Sequence, residues 1–90
     1  MNKTEKRKLT IKLICEMIKE LFPEYSIDEA EGGRMNFTPS WATSGDDDIE
    51  FSRSDYSLCT LNWASARVKA DESRMQKQIN YIVEQVNKME

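Results

Sequence analysis

Residues 25–41 read YSIDEAEGGRMNFTPSW, and this stretch decides the fold. Tyr25 to Ala30 and Met35 to Trp41 are two runs of strand-forming residues, and Glu31-Gly32-Gly33-Arg34 lies between them. Glycine supplies the positive φ that a tight turn needs, so the pair reads as a β-hairpin. Register follows from which side chains end up opposite each other. A two-residue loop at Gly32-Gly33 would set Tyr25 and Ile27 on the face opposite Met35 and Phe37. A three-residue loop from Glu31 to Gly33 pairs Ile27 with Phe37 and Glu29 with Met35, which matches apolar to apolar and is preferred. Pro39 has no N–H to give to a ladder, so it belongs at an edge or at the end of its strand.

Working outward, a second hairpin is expected from Ile49–Arg53 and Tyr56–Trp63 around Ser54-Asp55, with Phe51 facing Leu58. Cys59, Leu61 and Trp63 then point to the other face, so this strand is expected to be covered on both sides. Ala42 to Asp48 is a loop, with turn chemistry at Ser44-Gly45-Asp46.

The hairpins are flanked by helical periodicity. From Thr4 to Phe22, the residues Ile11, Ile14, Cys15, Met17, Ile18, Leu21 and Phe22 share one broad face. Pro23 stops this helix. Near the other end Met75, Ile79, Ile82, Val83, Val86 and Met89 form one apolar stripe. Ala64 and Val68 fall in phase with it, but a start near Ser65 would bring Asp71 and Glu72 towards the buried face. A start near Asp71 is therefore expected, with 64–70 extended or irregular. The order is α-β-β-β-β-α: an α+β fold with an antiparallel three- to four-stranded sheet and both terminal helices on one face. Ninety residues make one domain, 1–90, with residues 1–4 and 90 expected to fray.

Several function classes lose support at this level. The chain has no histidine, so the usual general base near neutral pH is missing, and no phosphate loop, dinucleotide glycine motif or nucleophile elbow occurs. Cys15 falls on the apolar face of the first helix and Cys59 lies beside Leu58 and Leu61, so both read as free thiols in a reducing compartment rather than as nucleophiles. No catalytic residue, cofactor or metal site is assigned. Asp46-Asp47-Asp48 with Glu50 lacks the alternating oxygen ligands, bend glycine and distant glutamate of a calcium loop. The basic N-terminus is followed by an apolar stretch broken by Lys12, Glu16, Lys19 and Glu20, unlike a secretory leader, and no membrane span is present; a cytoplasmic location is expected.

Charge carries the remaining signal. Residues 1–20 hold six basic and three acidic side chains, residues 21–60 two basic and nine acidic, and residues 61–90 five basic and four acidic. The sheet-forming middle is thus strongly acidic. The expected function is a non-catalytic protein-binding module, an adaptor or inhibitor, whose acidic surface engages a basic surface on a larger protein, such as a nucleic-acid channel. Asp28, Glu29, Glu31, Asp46, Asp47, Asp48, Glu50 and Asp55 are the candidate contact residues. In size and charge alone the chain resembles the acidic inhibitors of phages and mobile elements, anti-CRISPR proteins among them.

Two alternatives stand beside this. Lys3, Lys6, Arg7, Lys8 and Lys12 would form a basic arm for nucleic acid. The element order is similar to that of double-stranded RNA binding domains, but Asp71-Glu72-Ser73-Arg74 stands where a basic cluster is needed, and the acidic sheet would repel phosphates. Leu9 and Leu13, off the main stripe of the first helix, would instead line the seam of a homodimer.

Overall fold

The computed structural model describes residues 1–42 and 45–89; the Ser44 part of the expected turn and residue 90 lie outside the described residues. Helix α1 spans Lys3–Leu21, strands β1 to β4 span Tyr25–Glu29, Arg34–Pro39, Ile49–Ser52 and Leu58–Cys59, and helix α2 spans Ala66–Asn87. The four strands form one antiparallel sheet in sequential order, with both helices packed on one of its faces.

Helix α1 begins early because Asn2 caps it, its Oδ1 accepting from the Glu5 N–H at 2.8 Å. The apolar face expected from periodicity is the face that is buried: Ile14, Met17, Ile18 and Phe22 enter the core, whereas Leu21 is exposed. At its end the Phe22 N–H still reaches the Ile18 carbonyl at 2.9 Å before Pro23 turns the chain.

The β1–β2 hairpin has the three-residue loop expected, with Ile27 opposite Phe37 and Glu29 opposite Met35. Gly32 and Gly33 both hold φ near +72°, a region open to glycine at little cost. Pro39 ends β2. Met35 and Phe37 pair with Phe51 and Ile49 of β3, so the next bond of that ladder would fall beyond the first residue of β3, and the missing Pro39 N–H costs no bond. Alternation then sets Tyr25, Ile27, Met35, Phe37, Ile49, Phe51 and Leu58 on the helix side. Phe37 and Phe51 are fully buried there and stacked at 5.7 Å between centroids. Val68, Met75 and Ile79 of α2 close the core from above.

Three expectations need correction. The first concerns α2, which starts at Ala66 rather than near Asp71; Ser65 is its N-cap, with Oγ accepting from the Val68 N–H at 3.2 Å. Asp71 is indeed on the buried face, only 2% exposed. It is tolerated because its carboxylate is fully engaged: the Tyr25 hydroxyl donates to Oδ2 at 2.6 Å, and the Arg74 guanidinium pairs with Oδ1.

Strand β4 is also shorter than expected, two residues instead of eight. The Leu61 carbonyl accepts from the Ala64 N–H at 3.0 Å and from Lys69 Nζ at 3.2 Å, which turns the chain into α2 instead of along the sheet. No described residue covers its second face, finally: Cys59 is exposed, as are Leu61 and Trp63 beyond the strand's end.

The edge of β4 is closed by a side chain. Ser52 and Ser57 form the ladder bond next to the turn, so the Leu58 N–H and Tyr56 carbonyl point outward. Gln76 of α2 meets both, its Oε1 accepting from the Leu58 N–H at 2.9 Å and its Nε2 donating to the Tyr56 carbonyl at 3.1 Å. The amide thus stands in for one peptide unit of a further strand. Removing it in Gln76→Ala is expected to cost about 1–3 kcal/mol in chemical denaturation, by leaving two backbone groups unpaired.

Burial, reinforced by the hydrogen bond to Asp71 and its charge, raises the Tyr25 phenol well above its ordinary value. The folded chain therefore keeps a proton that the unfolded chain releases at about pH 10. This stabilisation is complete below that pH and is lost as the pH rises above it. Thermal melts are expected to show a falling midpoint above about pH 10, a slope that Tyr25→Phe flattens.

Candidate protein interface

With both helices on one side, the other side of the sheet is open. Register lines up Asp28, Asn36, Glu50 and Cys59 across all four strands on that face. Ser26 and Asp28 lie together on β1, their side chains 3.4 Å apart. Arg34 of β2 pairs with Glu50 at 2.9 Å, both side chains about half exposed, so the pair is loosely held and adds little stability. Beside this row lies a depression of about 180 Å³, lined by Asn36, Asp48, Glu50, Cys59, Thr60 and Leu61. Asp48 Oδ1 is enclosed and has no hydrogen-bond partner among the described residues. Leu61 is 42% exposed, and Trp63, two residues on, is 68% exposed. Leu61 lines the depression beside Asp48 and Glu50, an apolar contact next to carboxylates of the kind protein interfaces use.

The eight acidic candidates do not form one surface. Asp28 and Glu50 are on the open face, and Asp48 reaches its depression. Glu29, Glu31 and Asp55 belong to the end of the sheet where the β1–β2 and β3–β4 turns meet. Glu29 there is tied to Arg53 at 2.6 Å, joining the two hairpins. Asp55 folds back on its own turn: its Oδ1 accepts from Ser57 Oγ at 2.7 Å and from the Ser57 N–H at 3.1 Å, which holds its carboxyl below the usual range. The other end carries the 3₁₀ turn Gly45–Asp47, where Asp47 Oδ1 accepts from the Ser65 N–H at 3.0 Å. That bond pins the acidic loop to the start of α2, whose dipole favours a carboxylate there.

The basic arm is likewise partly committed. Arg7 Nη1 donates to the carbonyls of Arg53 at 2.6 Å and Ser54 at 3.3 Å, and its guanidinium lies 5.6 Å from the Tyr56 ring centroid. Lys3, Lys6, Lys8 and Lys12 form no ion pair among the described residues. Leu9 and Leu13 are half-buried; Leu13 lines a groove of about 300 Å³ between the helices with Met17, Tyr81 and Ile82. Both cysteines are free thiols, and burial raises the Cys15 pKa. Among the described residues no three metal-ligating side chains converge, and no helix is long and apolar enough to cross a membrane.

Charge counting overlooked Asn36, Thr60 and Leu61 as parts of the depression. The available signal was Cys59 on the face opposite Leu58, with Leu61 just beyond the end of the strand. Comparison with protein-family models, with curated proteins and with solved structures finds no match for the chain, so geometry alone carries the functional reading.

Asp47→Ala is expected to cost about 1 kcal/mol, the value of one charge-assisted cap at a helix start. Hydrogen exchange should quicken at Ser65 and the first turn of α2, and leave β2 unchanged.

Proposed function

We propose that this chain is a non-catalytic protein-binding module, an adaptor or inhibitor, that engages a basic surface on a larger protein through the open face of its sheet. The observation that carries the reading is the helix-free face itself, where Asp48, Glu50 and Leu61 line a depression and Asp28 stands in the same cross-strand row as Glu50. A basic partner supplies counter-charges to Asp28 and Asp48, which form no ion pair among the described residues, and exposed Leu61 and Trp63 supply apolar contact area. A surface that accommodates a polyanion, such as a nucleic-acid channel, has the complementary sign.

The acidic field speeds encounter, while Leu61 and Trp63 lengthen the bound state. Affinity purification with the intact chain, followed by titration of the recovered partner, tests the proposal. The double substitution Asp28→Lys with Glu50→Lys is expected to weaken binding at least about tenfold, chiefly through the on-rate, and Trp63→Ala is expected to cost about 1–2 kcal/mol, chiefly through the off-rate. Full-strength binding by both variants, with unchanged circular dichroism, would remove this face from consideration.

A further inference from the structure

The two rims of the sheet are treated differently. The β4 rim is closed by Gln76, whereas the β1 rim has no such cover. The Ser40 N–H donates to the Glu24 carbonyl at 2.8 Å, and the Ala30 N–H to the Arg34 carbonyl at 3.0 Å. These bonds fix the phase of the ladder: residues 24, 26, 28 and 30 turn their backbone groups towards β2, and Tyr25, Ile27 and Glu29 turn theirs away. The Tyr25 N–H is taken up by the Phe22 carbonyl at 3.0 Å. The N–H groups of Ile27 and Glu29 and the carbonyl of Ile27 meet no partner among the described residues.

The surroundings of this rim specify what would fit it. From Pro23 to Gly33 the chain carries Glu24, Asp28, Glu29 and Glu31 and no basic residue. Glu29 is offset by Arg53, and Glu24 lies 3.7 Å from Arg67. Asp28 and Glu31 form no ion pair among the described residues. On the helix side, Ile27 and Cys15 are only half-buried, and Cys15 lies close enough to Glu29 and Arg53 for their charges to act on its thiol. A strand laid along this rim would point alternate side chains to the two faces. One set would meet Asp28 and Ser26, the other Ile27 and Cys15.

We propose that the β1 rim accepts an extended segment of a partner protein as a fifth strand, with lysine or arginine on the open side alternating with β-branched apolar residues on the helix side. This goes beyond the open-face reading: that surface is the flat side of the sheet, and this one is its border. Charges on an edge ordinarily prevent pairing. Here they share one sign, which turns away a second copy of this strand and admits a segment of opposite sign.

The test uses the isotope-labelled full chain at low salt, titrated with a blocked seven-residue peptide alternating lysine and valine. The amide signals of Ile27 and Glu29 are expected to shift and their hydrogen exchange to slow, with affinity falling as salt is added. Glu29→Pro removes an outward donor while leaving the β2 ladder intact, and is expected to weaken binding about tenfold more than Glu29→Gln. Asp28→Lys, which leaves the backbone unaltered, should weaken it as well, so the result does not depend on the proline variant folding. Signals moving at Asn36 and Cys59 but not at Ile27 and Glu29 would overturn the rim proposal and leave the open-face reading standing. Protection of both amides in the free protein that disappears on dilution would assign the rim to a second copy and overturn it too, as would the absence of any shift.

Discussion

Everything in this molecule hangs on the alternation of β2 and β3. Met35 and Phe37 on one strand and Ile49 and Phe51 on the other present a single apolar face, and α1 and α2 each have a single apolar stripe to lay against it. A domain of this size has little surplus burial, so these contacts must supply most of its stability. Shifting either strand by one residue would send Phe37 or Phe51 into water and a polar neighbour under the helices. The three-residue loop at Glu31–Gly33 is what holds β2 in phase with β1, and the two positive φ values there are the local condition for it.

The central hairpin was legible in the sequence because only one loop length matched apolar to apolar, and Phe51 opposite Leu58 followed from the same logic. The start of α2 was not legible, and the reason is specific. A carboxylate on an apolar face reads as a fault unless its partners are known, and Tyr25, one partner of Asp71, lies 46 residues away along the chain. The length of β4 was hidden for a similar reason: the Leu61 carbonyl is diverted by Lys69 of a helix whose start had been set later on account of Asp71 and Glu72. For the surface, sequence gave residue types but not their grouping. Arg34 and Arg53 stand inside the acidic stretch and neutralise Glu50 and Glu29 locally, while Asp47 and Asp55 serve their own backbone. Asp28 and Asp48 remain on the open side of the sheet, a smaller set than the charge count of the segment implied.

Polar groups placed at junctions give this small fold its definition. The Tyr25–Asp71–Arg74 group joins the first strand to the second helix, and Arg74 also stacks 5.4 Å from the Phe22 ring at the end of α1. Arg67 lies 3.6 Å over Trp41 and near Glu24, fastening the other end of the same seam. Such contacts contribute modestly to stability, and each ties a helix to a neighbouring element.

The attachment of Arg7 to the carbonyls of Arg53 and Ser54 bears on the order of assembly during synthesis. The first helix leaves the ribosome long before the turn that holds its beginning, and longer still before α2, against which it packs. Until that last helix emerges, the faces of α1 and the sheet have no lid, and the nascent chain displays apolar surface that a chaperone can recognise. An interruption of translation before Met75 would therefore release a chain that holds every strand and lacks most of the helix that covers them.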